Sequence, residues 1–312
     1  MYLNKFNFFK RLKNKMEGIS TKNDLYENRI LIAQALVMRN KDNVFKSINE
    51  AEFKVFSQWG EDGIIQFLLQ HVSIERPLFV EFGVENYTES NTRFLLTNNQ
   101  WSGIVIDGSD ENIEYIKRDP IYWASNLEAV SAFITKDNIN DLIEKNGISG
   151  DIGILSVDID GNDYWVWQAI NCVSPRIIIC EYNSHFGPEA EVTTPYDPSF
   201  VRDKAHFSKI YYGASISALN SLAESKGYSL VASNSVGNNI FFVRNDLIDS
   251  LPVLSPIQAY CRAQFREYHD EEGNLTFDDF DTRINYIRDL PLYDLKTEKL
   301  AKISDIPGII NK

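Results

Sequence analysis

The sequence predicts an α/β fold: a mostly parallel sheet, wound with helices on both faces and ending in an antiparallel hairpin. Three observations carry this. Short apolar runs alternate with helix-capable stretches from residue 78 to residue 182. Those runs are continuously apolar, as in strands buried on both faces, and do not alternate with polar residues. After residue 212 the pattern changes to two runs joined by a Gly/Asn/Ser turn, which reads as a hairpin.

The elements follow in order. Residues 1–52 are polar and helix-prone, with Leu25, Ile30, Leu31, Ala35 and Leu36 forming a weak apolar stripe, and read as a lead-in packed on the main domain. Ser57-Gln58-Trp59-Gly60-Glu61-Asp62-Gly63 reads as a polar loop entering a helix, and Pro77 ends that helix region. Strands are expected at Leu78–Phe82, Gly103–Asp107, Ala129–Ile134, Ile152–Asp158 and Arg176–Tyr182, joined by right-handed helical crossovers. A helix over Ala214–Lys226 leads to the hairpin strands Tyr228–Ser233 and Asn239–Arg244. The catalytic domain is thus expected over residues 53–245, with residues 246–312 as an extension packed on it.

Charge and composition exclude several classes. The net charge is −13, although Lys5, Lys10, Arg11, Lys13 and Lys15 open the chain with no acid among them. A body that acidic repels a phosphate backbone, so no nucleic-acid partner is expected. At most, residues 1–15, with Phe6, Phe8 and Phe9 among their cations, could touch a membrane surface. Cys172, Cys180 and Cys261 form no CxxC pair, and neither a disulfide framework nor a zinc site is signalled. No apolar run approaches the ~18 residues of a membrane span, and a cytoplasmic location is expected.

In open α/β sheets the ligand lies beyond the carboxyl ends of the strands. The first strand ends in Glu81-Phe82-Gly83, where a glycine permits close backbone approach. The second ends in Asp107-Gly108-Ser109, where an acid is placed to accept bonds from both ribose hydroxyls. The fourth ends in Asp158-Ile159-Asp160 and the fifth in Glu181-Tyr182-Asn183-Ser184-His185. Alternation puts Asp158 with Asp160, and Glu181 with Asn183, on one side of their segments. Such groups offer two routes to a reactive oxygen nucleophile: Mg2+ or Mn2+ held by Asp160, Glu181 and Asn183, or His185 as a general base.

Taken together, Ser57-Gln58-x-Gly60-Glu61-Asp62, Glu81-x-Gly83, Asp107 and Val157-Asp158-Ile159-Asp160-Gly161 resemble the FkbM-type branch of class I S-adenosylmethionine-dependent methyltransferases, over roughly residues 53–245. The resemblance implies a seven-stranded Rossmann-like sheet, S-adenosyl-L-methionine as cofactor, and O-methyl transfer to a small-molecule or glycan acceptor, often in polysaccharide biosynthesis. By position it implies that Glu81 and Gly83 line the methionine end and Asp107 the ribose. The loop bearing Gln58, Glu61 and Asp62 would close over the cofactor. Read from the strand ends themselves, Gly108, Ser109 and Asp158 are expected to complete the cofactor set, and Asp158 and His185 to be catalytic. One departure stands out: the family's second glycine near position 87 is Tyr87 here. The missing glycine also argues against a nicotinamide dinucleotide, whose pyrophosphate needs several close backbone approaches. Two other classes remain open. Asp158-Ile159-Asp160 matches the Asp-x-Asp pattern of metal-dependent glycosyltransferases, and the fold could serve as a non-catalytic binding module.

Overall fold

The computed structural model describes residues 24–41, 43–265 and 268–310. The basic segment 1–15 lies outside them. Two compact units divide between Val44 and Phe45, so residues 45–52 belong with the larger one, as does the C-terminal extension. Among its described residues the smaller unit contributes one helix, α1 (residues 24–41). Among the described residues no helix is long and apolar enough to cross a membrane.

The larger unit runs α2 (Glu61–His71), β1 (Leu78–Phe82), α3 (Arg93–Asn99), β2 (Ser102–Asp107), α4 (Asp110–Arg118), α5 (Pro120–Ala124), β3 (Leu127–Ser131), α6 (Ile139–Lys145), β4 (Gly150–Val157), α7 (Asp163–Ala169) and β5 (Val173–Glu181). It continues through β6 (Val192–Thr193), α8 (Arg202–Ala205), α9 (Ile216–Ser225), β7 (Tyr228–Ser233), β8 (Asn239–Arg244), β9 (Pro291–Asp294) and β10 (Lys299–Lys302). The main sheet has seven strands in the order β3-β2-β1-β4-β5-β8-β7. The first five are parallel, and the hairpin inserts β8 antiparallel beside β5. The expected α/β architecture is therefore present, with strand ends shifted by up to three residues.

Pleating explains the continuous apolar runs. Val80, Phe82, Ile104, Ile106, Leu155 and Val157 face one core; Phe79, Val105, Ile154, Ile177 and Ile179 face another on the opposite side of the sheet. Each fully buried side chain of this size contributes about 1.5–3 kcal/mol. A third core lies under the extension: Phe186, Val192, Ile210, Ile287, Leu292 and Ile303 pack together beneath a small sheet ordered β10-β9-β6. The insertion after β5 and residues 268–310 thus share one hydrophobic centre.

Candidate active site

Strand order reverses between β1 and β4, and that is where a doubly wound sheet opens a crevice. Glu81 pairs with Ser156 across this point, which brings Gly83 against Asp158. Gly83 has φ +66°, and a Cβ there would overlap the Asp158 carbonyl oxygen and stand 2.9 Å from its carbon. The glycine is therefore demanded first by the neighbouring strand end and only then by any ligand. Two cavities flank it, one of about 640 Å³ and one of about 370 Å³, and Gly83, Glu85, Asp160 and Arg202 line both.

Ile106, Asp107, Gly108, Ala132, Phe133 and Ile134 wall the larger cavity, an acid between apolar surfaces. Asp107 Oδ2 accepts from the Glu85 N–H at 2.8 Å, while Oδ1 accepts from the Ser109 N–H at 2.9 Å and from Asn112 Nδ2 at 3.1 Å. A carboxylate has about four acceptor positions. Three are filled, so Asp107 has room for one further strong bond rather than the expected pair. Ser109 is not in the wall: it caps α4 by accepting from the Asn112 N–H.

The smaller cavity is more polar, and Gln58, Glu81, Asn91, Asp158, Glu181 and Asn239 are among its walls. Glu81 accepts from the Asn91 and Thr92 N–H groups and the Thr92 hydroxyl, and burial pushes its carboxyl up to about 7. Two loop residues expected here point elsewhere. Asp62 takes three backbone N–H donors, Val55, Phe56 and Ser57, plus the Ser57 hydroxyl, so it staples its own loop. Glu61 accepts from the Trp59 N–H, Asn234 Nδ2 and Asn239 Nδ2. Gln58 alone of the three lines the cavity, and its Oε1 accepts from Asn238 Nδ2 at 3.1 Å. In this structure the loop is anchored at each of these points and forms part of the wall of the smaller cavity.

Asp158, Asp160 and Glu181 do come together: one carboxylate oxygen from each lies within 4.8 Å of the others. Burial raises the Asp158 and Glu181 carboxyls well above the usual range, and each feels the negative neighbours. Glu181 Oε2 is buried with no hydrogen-bond partner. Asp160 holds φ +57°, a left-handed conformation costly for a side-chain-bearing residue. Its Oδ1 accepts from Arg202 Nη1 at 2.5 Å.

The oxygens are the hard donors that Mg2+ or Mn2+ prefers, but a cation already stands among them. Two unit charges 4 Å apart interact by about 4 kcal/mol at an effective dielectric of about 20, and the figure doubles for a divalent ion. Arg202 therefore already supplies, at Asp160, part of the positive charge that a divalent metal would bring to this cluster. Asn183 supplies no ligand. Its Nδ2 donates to the Ile210 and Tyr212 carbonyls and its Oδ1 accepts from the His185 N–H, all away from both cavities.

His185 also differs from expectation. It stacks on Phe280 with ring centroids 4.4 Å apart and planes 6° apart, packs edge-on to Tyr268, and lines neither cavity. Burial, reinforced by Arg283, Arg202 and Arg262, lowers its pKa to about 3. It is a neutral core histidine, out of reach of an acceptor. Trp167 is buried in the main core and Trp165 donates its indole N–H to the Thr194 carbonyl, so both are structural.

Sequence reasoning overlooked Arg202, Phe133, Phe265, His269 and Leu275, all of which line the cavities. None sits in a motif, and the last three arrive from the extension.

No protein-family model matches this chain, and no curated protein matches it. Solved structures of similar fold include the N-terminal domain of EvdMO1 with SAH bound, at 12% identity and TM-score 0.38, covering 68% of this chain and 95% of that one. An S-adenosylmethionine-dependent methyltransferase from Clostridium acetobutylicum has 10% identity and TM-score 0.34, covering 54% and 83%. The O-methyltransferase from Bacillus cereus in complex with SAH has 14% identity and TM-score 0.33, covering 54% and 74%. At these identities and scores the similarity assigns no activity to this chain, which is read from its own site below.

Proposed function

We propose that this protein is an S-adenosylmethionine-dependent methyltransferase, acting on a hydroxyl of a sugar or polysaccharide precursor. One observation carries the reading: two cavities meet at Gly83, the larger with Asp107 beside the apolar Ile106, Phe133 and Ile134 on one wall, and the smaller with an acidic cluster. A nucleoside fits the first, with its base against Phe133 and Ile134 and one ribose hydroxyl on Asp107. The sulfonium and the α-ammonium of the zwitterionic amino-acid end fit beside Asp158 and Glu181, where their positive charge adds to that of Arg202 in relieving buried negative charge. The acceptor then enters the smaller cavity, with its oxygen in line with the sulfonium methyl.

The Asp-x-Asp glycosyltransferase reading is less well supported. In it Asp158 and Asp160 would share a metal that Arg202 repels, and the Asp107 wall would have no role. Incubation with isotopically methyl-labelled S-adenosylmethionine and a panel of sugars, sugar nucleotides and oligosaccharides tests the proposal. Label is expected on an acceptor oxygen. Sugar transferred from a nucleotide donor, with no methyl transfer, would reverse the ranking.

A further inference from the structure

We propose that Arg202 is the resident cation of this site: its guanidinium takes the place a divalent metal would take, and removing it turns the acidic cluster into a metal site. The case is geometric. Arg202 reaches Asp160 across 42 residues of sequence. Its Nε donates to the Lys209 carbonyl at 2.8 Å, and its guanidinium carbon lies 3.8 Å from the centre of the Tyr212 ring. The Arg202 side chain is 13% exposed, whereas its partner Asp160 is 53% exposed, so the arginine is the fixed member of the pair.

A planar guanidinium held by a carbonyl, an aromatic face and a carboxylate has lost most of its freedom, unlike a surface arginine. The carbonyl it uses belongs to Lys209, which adopts φ +58°, so the insertion 201–212 accepts backbone strain in building this clamp. Opposite, Glu181 Oε2 is buried and unpartnered, the donor a metal would claim first were the positive charge absent. Arg202 also borders both cavities, at the point where they join. It is therefore a positioning residue: it holds the Asp160 carboxylate and supplies fixed positive charge where the acceptor oxygen arrives.

The role in transfer rests on the methyltransferase reading, but the exclusion of metal does not. Electron paramagnetic resonance of free Mn2+, titrated into the full chain with and without S-adenosylhomocysteine, tests it. Wild type and Arg202→Lys, which keeps the charge, are expected to leave Mn2+ free up to about 1 mM, the weak end of oxygen-ligand sites. Arg202→Met should gain one Mn2+ site at least roughly tenfold tighter, and Arg202→Met combined with Glu181→Gln should lose it.

Circular dichroism establishes that each variant is folded. Should Arg202→Met fail, Arg202→Gln serves the same arm, and the wild-type titration decides by itself. Mn2+ bound by wild type and released by Glu181→Gln would overturn the proposal, as would a folded Arg202→Met that gains nothing. The same samples report S-adenosylhomocysteine affinity. Wild type that binds both Mn2+ and S-adenosylhomocysteine would overturn the metal exclusion and leave the cofactor reading standing, whereas wild type that binds neither would leave the metal exclusion standing and remove the cofactor reading.

Discussion

Replacing Gly83 by alanine strikes the junction of the two cavities, and its cost can be worked from the structure. Gly83 holds φ +66°, and a side-chain-bearing residue in that region costs about 1–2 kcal/mol. The added Cβ would also overlap the Asp158 carbonyl oxygen, a backbone atom that cannot swing aside. Forcing extra volume into packed structure typically costs about 1–3 kcal/mol. Gly83→Ala should therefore lose roughly 2–5 kcal/mol of stability, equivalent to a fall in melting temperature on the order of 10 °C for a unit of this size. Gly150→Ala supplies the control, because Gly150 holds φ +69° with nothing within 4 Å of an added Cβ. It should pay the backbone cost alone, about 1–2 kcal/mol. Urea unfolding of both variants measures the difference, and calorimetry with S-adenosylhomocysteine reports whether the shifted Asp158 segment still accepts cofactor. If Gly83→Ala is as stable as Gly150→Ala and binds cofactor normally, the close approach of β1 and β4 ends does not govern this site.

Other perturbations follow from the same geometry. His185→Phe keeps the ring on Phe280 but removes the imidazole; methyl transfer should fall by no more than about threefold, against the 10²–10⁴ expected of a displaced general base. A larger drop in initial rate, with folding intact, would return His185 to the chemistry. Glu81 has its carboxyl pushed up to about 7 from 4.5 by burial. Its folded pKa lies above its unfolded one, so its stabilising contribution is complete below about 4.5 and is lost as pH rises through about 7. At about 1.4 kcal/mol per unit this amounts to at most about 3 kcal/mol. Urea midpoints measured between pH 4.5 and 7.5 should decline less steeply in Glu81→Gln than in wild type, and parallel curves would show that Glu81 titrates normally. Asn183→Ala strands the Ile210 and Tyr212 carbonyls and should cost about 1–3 kcal/mol, and added to Arg202→Met it should leave the gained Mn2+ site intact; thermal melting checks the first and Mn2+ titration the second.

The parallel core was legible because strands buried on both faces must be continuously apolar; Gly83 was singled out for close approach of a ligand, whereas the structure shows that the Asp158 strand end demands it first. Asp107 was singled out as a strand-end acid, and it lines the larger cavity. What failed lay beyond the last residue of a strand. Alternation along β5 put Asn183 on the side of Glu181, but the chain turns into a short helical loop at Ser184–Phe186, and periodicity stops applying there. Tyr268 and Phe280, nearly a hundred residues further on, then bury the histidine. Arg202 was invisible for a related reason: an arginine in a polar stretch looks solvated until the fold sets it on Asp160. Tyr87, standing where a glycine was expected, adopts φ +61° and buries its ring, its hydroxyl 2.9 Å from Thr92 Oγ1. The turn therefore keeps the left-handed backbone without the glycine, which the residue type alone did not reveal.

Titration of S-adenosylhomocysteine into the protein, wild type beside Asp107→Ala, tests the central claim most directly. Saturable one-to-one binding by wild type is expected. In the variant it should weaken by roughly tenfold to a hundredfold, the value of one hydrogen bond from a ribose hydroxyl to a charged acceptor. A wild-type protein that takes up no S-adenosylhomocysteine at millimolar concentration, or binding indifferent to Asp107 in a folded variant, would contradict the account.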